Sequence, residues 1–285
     1  IYSFMPLYFV LLIYTFVKQD LDDILLTTLL IIISIFSFFV IILPFITVAV
    51  TSFTVNMGKP LTLSNLSLKA WEKVFSRASI ISSTTNSFLT ATAAAFFGIL
   101  ISCVMAYLLQ RTNVKGKRIP DFLITLGSGT PSVTIALALI ISMSGKFGIN
   151  IYNTLTIMVV AYMIKYMLMG MRTVVSAMSQ VHPSLEEAAQ ISGANWLRML
   201  KDVTLPLIGA SIVAGIFLIF MPSFYELTMS TLLYSSNTKT IGYELYIYQT
   251  YHSQQVASAL ATAILLFVIL VNYILSKLTK GQFSI

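Results

Sequence analysis

Two adjacent carboxylates, Glu186 and Glu187, open the longest polar stretch in the second half of the chain, EEAAQISGANWLRMLKDVTLP at 186–206. Ser184 precedes them, and this spacing fits a capping box, in which the serine caps an early helical amide and Glu187 bonds back to the serine N–H. Acids in a first turn also complement the positive end of the helix dipole. Gly193 can end the helix in a left-handed turn. The chemistry that this stretch offers is docking by a short capped helix.

Side chains suited to catalysis are few. His182 and His252 lie in loops, no H-E-x-x-H metal motif occurs, and Ser128 has no histidine in a span to serve as its base. The dipeptide Gly116-Lys117 lacks the earlier glycine of a phosphate-binding loop, so the chain cannot hydrolyse ATP by that means. We therefore expect no catalytic residue, metal ligand or cofactor in this chain, and an intramembrane enzyme is disfavoured.

The elements that hold these residues are membrane spans. The chain is 57% hydrophobic and 9% charged, against roughly 25% charged in an average soluble domain. Runs that approach or exceed the roughly 20 apolar residues that cross a bilayer occur at 24–53, 82–109, 122–143, 151–171, 204–224 and 257–276. We predict an all-α polytopic helix bundle with six spans in one domain at 24–285. A marginal apolar run at 1–17, within an N-terminal segment at 1–23, is a candidate extra or partial span.

Short basic loops remain in the cytoplasm, and this rule orients the bundle. Four basic residues crowd the connection between the second and third spans: Arg111, Lys115, Lys117 and Arg118. Residues 172–203 and the C-terminal tail are then cytoplasmic, although the basic outer loop at 54–81 argues against this orientation. The net charge of +7 belongs mainly to the loops and predicts no nucleic-acid partner.

Small and helix-breaking residues mark two spans. Ala94, Gly98, Ser102 and Ala106 recur every four residues in the second span, a stripe that lets a neighbouring helix approach closely. The third span carries a group of residues that favour a kink or unwound turn: Gly127, Ser128, Gly129 and Pro131. Such a break is expected either to line a pathway or to serve as a packing kink.

Lys165 is the one charge inside the six predicted spans. It lies near the cytoplasmic end of the predicted span 151–171, so we expect its long side chain to snorkel to the interface. In an ion-coupled secondary transporter, the alternative class, an intramembrane charge would act as a relay. Because Asp and Glu are absent from all six spans, that alternative is disfavoured.

A fixed spacing of residues in 187–206 resembles the EAA motif of permease subunits in ATP-binding-cassette importers. The family pattern is E-A-A, three residues, G, nine residues, then I-x-L-P, and valine replaces the isoleucine here. The matching residues are Glu187, Ala188, Ala189, Gly193, Val203, Leu205 and Pro206. The resemblance covers residues 24–280 and includes the pair Asn86-Ser87, the basic turn RTNVKGKRIP and the cation Lys165.

This resemblance implies the six-helix core of a type I importer, in a bacterial plasma (inner) membrane with its C-terminus in the cytoplasm. It implies a coupling loop at 172–206 that docks into a separate ATPase. Its coupling residues are Glu186, Glu187, Ala188, Ala189, Gly193, Leu205 and Pro206. The implied partners are two ATPase subunits that use ATP, a periplasmic or lipid-anchored solute-binding protein, and a second permease unit, as a homodimer or a fused half, within the lipid bilayer.

The stretch ELTMSTLLYSSNTKTIGYELYIY at 226–248 resembles most closely the permeases that carry ferric iron. Importers of 2-aminoethylphosphonate, polyamine, thiamine or sulfate are the alternatives. Glu226 is predicted either to meet a passing cation, with Gly129 and Pro131 as further pathway candidates, or to be an ordinary acid at a helix end. Four tyrosines are expected to form an interfacial belt: Tyr243, Tyr246, Tyr248 and Tyr251.

Overall fold

The computed structural model describes residues 23–146 and 148–278 of the chain. Within these residues every regular element is a helix, and the only other pairing is two isolated β-bridges. The predicted all-α architecture is confirmed. The apolar run at 1–17 lies outside the described residues, as does the tail from residue 279.

Thirteen α-helices are present in the described ranges, with three short segments of other helical type. The α-helices are α1 Asp23–Ser37, α2 Leu43–Thr51, α3 Lys69–Ser76, α4 Ala78–Arg111, α5 Arg118–Gly129, α6 Ser132–Ser142, α7 Leu155–Gln180, α8 Ser184–Ile191, α9 Trp196–Met199, α10 Leu205–Phe224, α11 Thr228–Leu233, α12 Ile241–Tyr251 and α13 Gln254–Leu278. Two π-helical turns, Phe38–Ile42 and Leu200–Thr204, and one 3₁₀ turn, Leu63–Asn65, complete the set.

Five continuous helical stretches of the described chain are long and apolar enough to cross a membrane. They are Leu26–Thr51, Ala78–Arg111, Leu155–Gln180, Trp196–Phe224 and Gln254–Lys277. The pair α5 and α6, bent by 111°, brings the number to six when it is counted as one broken span. The six predicted runs fall on these stretches, but the third, predicted as one span at 122–143, is two helices.

The fifth span also differs from its prediction. The sequence after Gly193 predicts a separate short helix at 194–203, with Pro206 opening the next span. Instead α9, the π-turn Leu200–Thr204 and α10 follow one another without a break from residue 196 to 224. Proline has no N–H to donate to the preceding turn, and a π-turn directly before it changes the local pairing so that the helix continues.

The centre of the bundle is the crossing of α4, α7 and α10, which meet at three glycines. A Cβ on Gly215 would lie 2.7 Å from Ile99 Cδ1 and 3.4 Å from Gly170 Cα. A Cβ on Gly98 would lie 3.1 Å from Ile219 Cδ1. The predicted stripe of small residues on α4 is buried at this crossing, as expected for a packing face.

Gly215→Val is expected to destabilise the fold, because the new side chain would meet the backbone of Gly170 as well as Ile99. Overpacking of this kind costs about 1–3 kcal/mol. Thermal unfolding of the detergent-solubilised chain measures the loss. Gly209→Val, on the same helix, is the matched control, since a Cβ at Gly209 would have no atom of a neighbouring element within 4 Å. Equal melting temperatures for the two variants would contradict the packing described here.

Candidate functional site

The polar stretch of the sequence folds into the helix α8, which begins at Ser184 and ends at Ile191. Gly193 follows with φ of +89°, so the predicted left-handed turn is confirmed. The predicted capping box is wrong. Because Ser184 is the first residue inside the helix, its hydroxyl lies 2.7 Å from His182 Nδ1, and the N–H of Glu187 donates to Pro183 O. We refer to residues 184–206 as the elbow.

Glu186 fixes the elbow to the bundle. It is 6% exposed, and its Oε1 accepts from Arg111 Nε and from Thr204 Oγ1, each at 3.0 Å. The same arginine donates to Met178 O and to Val181 O. Arg111 ends α4, Met178 belongs to the last turn of α7, and Thr204 lies directly before α10. The short helix is therefore joined to three spans by one ion pair and its hydrogen bonds.

This anchor was missed in the sequence. Glu186 was predicted to be a residue that faces a partner, and Arg111 to be part of a basic loop. The structure turns Glu186 inward and pairs it with Arg111 across a long separation in the chain. A buried carboxylate needs a cation, and the signal available for this pairing was an arginine at the end of the predicted second span, Arg111.

The opposite side of the elbow is exposed and apolar. Leu185 is 47% exposed, Ile191 88% and Leu197 68%. Glu187 and Ala188 are exposed beside them. We call these five residues the elbow face. The other predicted coupling residues are distributed around it: Ala189 is half-buried, whereas Gly193, Leu205 and Pro206 are exposed. Exposed large apolar side chains grouped on one short segment in this way are typical of interaction sites.

The third span breaks at the glycines and proline that the sequence indicated. Gly129 ends α5, Pro131 precedes α6, and both are exposed. Lys165 donates from Nζ to Ser128 O at 3.0 Å and to Thr130 O at 2.8 Å. The prediction that this lysine snorkels is wrong, because it lies in the middle of α7. It instead caps the carbonyl end of α5, where helical carbonyls lack amide partners and the dipole is negative.

Lys165→Met is expected to loosen the break without unfolding the bundle. A hydrogen bond from a charged donor contributes about 1.5–3 kcal/mol, so amide exchange at 126–134 should accelerate by roughly tenfold or more. Hydrogen exchange in nanodiscs measures this change. Lys115→Met, in the exposed basic loop, should leave the same amides unaffected. Unchanged exchange in the Lys165 variant would show that the cap does not hold the break.

Glu226, predicted as a pathway residue or a structural acid, is 8% exposed. Its Oε1 accepts from the N–H of Met229 at 3.1 Å, and its Oε2 accepts from the hydroxyl of Tyr166. It thus holds the start of α11 and faces no open space. The geometry supports the structural role.

The predicted tyrosine belt is only partly correct. Tyr246 is 37% exposed and Tyr251 68%, as an interfacial position requires. Tyr243 and Tyr248 are buried, and the hydroxyl of Tyr248 accepts from Arg77 at 2.7 Å. Tyr243 stacks on the ring of Tyr234, and Tyr248 packs in the cluster that contains Val256 and Ala257, so packing outweighs the preference of tyrosine for the interface at both positions.

Five continuous spans and one broken pair, with a short helix locked to the ends of three of the spans, form the kind of helix bundle expected of a membrane permease. Residues 98–280 match the family described as binding-protein-dependent transport system inner membrane components, and the chain belongs to this family. It is a permease subunit of an ATP-binding-cassette importer, as the EAA motif predicted.

Three similar proteins illustrate the range of the family. A trehalose/maltose transport system permease of Thermococcus litoralis is 28% identical over 277 residues, which are 91% of this chain and 98% of that protein. A putative ferric transport system permease of Haemophilus influenzae is 26% identical over 203 residues, 68% of this chain but only 30% of that protein. The crystal structure of a bacterial importer of the acidic polysaccharide alginate matches the fold with a TM-score of 0.75 at 16% identity, over 95% of this chain and 99% of that one.

Proposed function

We propose that this chain forms one half of the translocation pathway of its importer and that the elbow faces the cytoplasm, where it docks into a separate ATPase. The observation that carries the proposal is the two-sided construction of the elbow. One side is fixed to three spans through Glu186 and Arg111. The other side presents the elbow face to solvent. Two ATPase subunits, a second permease unit and an external solute-binding protein complete the transporter.

Coupling then follows from rigid-body mechanics. Closure of the ATPases on ATP moves α8, and the buried ion pair carries the movement to the ends of α4, α7 and α10. The docking contacts must differ in strength between the two ATPase states, because contacts of equal strength in both would shift no equilibrium.

Ferric iron, predicted from 226–248, is one candidate cargo, and a ferric permease is among the relatives. A sugar is the second candidate. It is supported by the trehalose/maltose permease, which aligns with nearly the whole of this chain, whereas the ferric relative aligns with two thirds of it.

The experiment that tests the function uses the solute that co-purifies with the binding protein encoded beside this gene. In vesicles that hold the assembled transporter, uptake of that solute should persist when a protonophore collapses the proton gradient and should stop when ATP is removed. Uptake that follows the gradient while ATP stays high would contradict the proposal and would favour an ion-coupled secondary transporter.

A further inference from the structure

We propose that a polar groove between α7 and α10, at the end of the bundle that carries the elbow, receives the cargo as it leaves the membrane, and that the cargo is a carbohydrate. We call this cavity the exit groove. The inference rests on the proposed function and deepens it, because it names the chemical class of the solute.

The exit groove has a volume of about 810 Å³. Its lining consists of Arg172, Thr173, Ser176, Ala177, Gln180, Val181, Leu207, Ala210 and Ser211. Hydroxyl, amide and guanidinium groups from α7 face small and apolar residues from α10. This mixture of polar side chains with apolar flanks suits a sugar ring, which has hydroxyl edges and a partly apolar face.

Three of the polar groups have no bonding role within the described part of the chain. The hydroxyls of Ser176 and Ser211 and the amide of Gln180 form no hydrogen bond with another described residue. Many other serines and threonines of the bundle instead donate to a carbonyl of the preceding helical turn, as Thr173 does to Met169 O. Free donors and acceptors that face lipid would lack any partner. The groove therefore faces water, as a pathway does.

Charge along the same face of α7 selects against cations. Lys165, Arg172, Ser176 and Gln180 follow one another at spacings of seven, four and four residues, which places them on one side of the helix. Lys165 is bonded to carbonyls only, and Arg172 is paired with Asp121 at 2.9 Å. This face keeps a net positive charge.

The lining of the groove also lacks the ligands of a hard metal ion. No carboxylate, imidazole or thiolate is among its side chains, whereas oxygen anions are what a hard cation prefers. A hydroxyl group can both donate and accept a hydrogen bond, so serine and threonine side chains pair well with the hydroxyls of a sugar. Asp121 and Thr125 occupy Nη2 of Arg172, and its other N–H groups can donate to the carboxylate of an acidic sugar. Neutral and acidic saccharides thus fit the groove, and free cations do not.

The position of the groove is tested by thiol accessibility in the assembled transporter. In a Cys103→Ser background, which removes the sole cysteine of the chain, a cysteine is placed at Ser176 and, as a control, at Phe97, an exposed apolar position in α4. A membrane-impermeant, negatively charged methanethiosulfonate applied from the cytoplasmic side should modify Ser176→Cys at least tenfold faster than Phe97→Cys. Equal rates at the two positions would overturn the assignment.

The charge of the groove is tested on the same variant with the positively charged reagent. After both rates are normalised to those of a free thiol in solution, the negatively charged reagent should react at least threefold faster at Ser176→Cys. A preference for the positively charged reagent would overturn the exclusion of cations.

The cargo class is tested by protection of Ser176→Cys from modification. Trehalose or an alginate pentasaccharide should slow modification at least threefold, whereas spermidine should have no effect, and ferric citrate should have no more effect than citrate alone. Protection by spermidine, protection by the ferric complex beyond that of citrate, or no protection by either saccharide would overturn the carbohydrate assignment. If these tests fail while the elbow still binds an ATPase and uptake still requires ATP, only this inference is lost and the proposed function stands.

Discussion

Arg111→Met is expected to uncouple ATP hydrolysis from transport, because it disconnects the elbow from the membrane spans. Its partner Glu186 would remain buried without a cation, and Met178 O and Val181 O would lose their donor. Removal of one member of a buried ion pair costs about 3–5 kcal/mol. We therefore expect ATP hydrolysis to continue while the number of solute molecules moved per ATP falls by at least tenfold. Both rates are measured in proteoliposomes.

Two further variants separate the charge from the packing at this anchor. Glu186→Gln keeps an acceptor for Thr204 and should show an intermediate loss. The double variant Arg111→Met with Glu186→Leu replaces both charges by apolar groups, and such replacements are often neutral for stability. It should melt closer to the unmodified protein than Arg111→Met alone. Unchanged coupling in Arg111→Met would contradict the role of the ion pair.

Ile191→Asp is expected to prevent binding of the ATPase. The side chain is 88% exposed at the end of α8, so an aspartate there costs the fold little. In an interface, however, it would bury an unpaired carboxylate in place of an apolar contact. The loss of a central apolar contact is worth about 2 kcal/mol or more, which corresponds to roughly 30-fold weaker binding. Affinity is measured by titrating the reconstituted permease with the ATPase encoded beside it.

Leu63→Asp provides the matched control for this prediction. Leu63 is 91% exposed in the loop between α2 and α3, which lies on the outer side in the proposed orientation. Like Ile191→Asp, this substitution adds one negative charge and removes a similar apolar area. It should leave ATPase binding intact. Equal loss in both variants would indicate a general effect of added charge, and no loss in Ile191→Asp would remove the elbow face from the interface.

The parts of the site that were predictable from the sequence are those that local interactions determine. The helix at 184–191 follows from its helix-favouring residues and from the acids in its first turn, and the left-handed Gly193 follows from the glycine that ends it. The break near Gly129 follows from the backbone freedom of glycine and the missing N–H of Pro131. The stripe of small residues on α4 was likewise predictable from its four-residue spacing alone.

The parts that were not predictable depend on contacts between distant segments. Lys165 caps a helix end more than thirty residues away in the chain. Its position in a predicted span indicated only how deep it lies in the membrane and did not indicate its partner. The sequence prediction put Glu186 on the exposed side of α8. Two adjacent acids in one helical turn do not show which of them pairs with Arg111. Tyr243 and Tyr248 are buried by contacts with residues outside their own helix, Tyr234 and Arg77.

Coupling in the proposed transporter depends on one contact, that between the elbow face and an ATPase, and photocrosslinking tests this contact directly. A photoreactive amino acid is placed at Ile191 and, in a separate variant, at Leu63, two apolar positions of nearly equal exposure. In cells, illumination should join Ile191 to a protein whose peptides include a phosphate-binding loop, and Leu63 should give no such product. A crosslink to the ATPase from Leu63 and none from Ile191 would contradict the account.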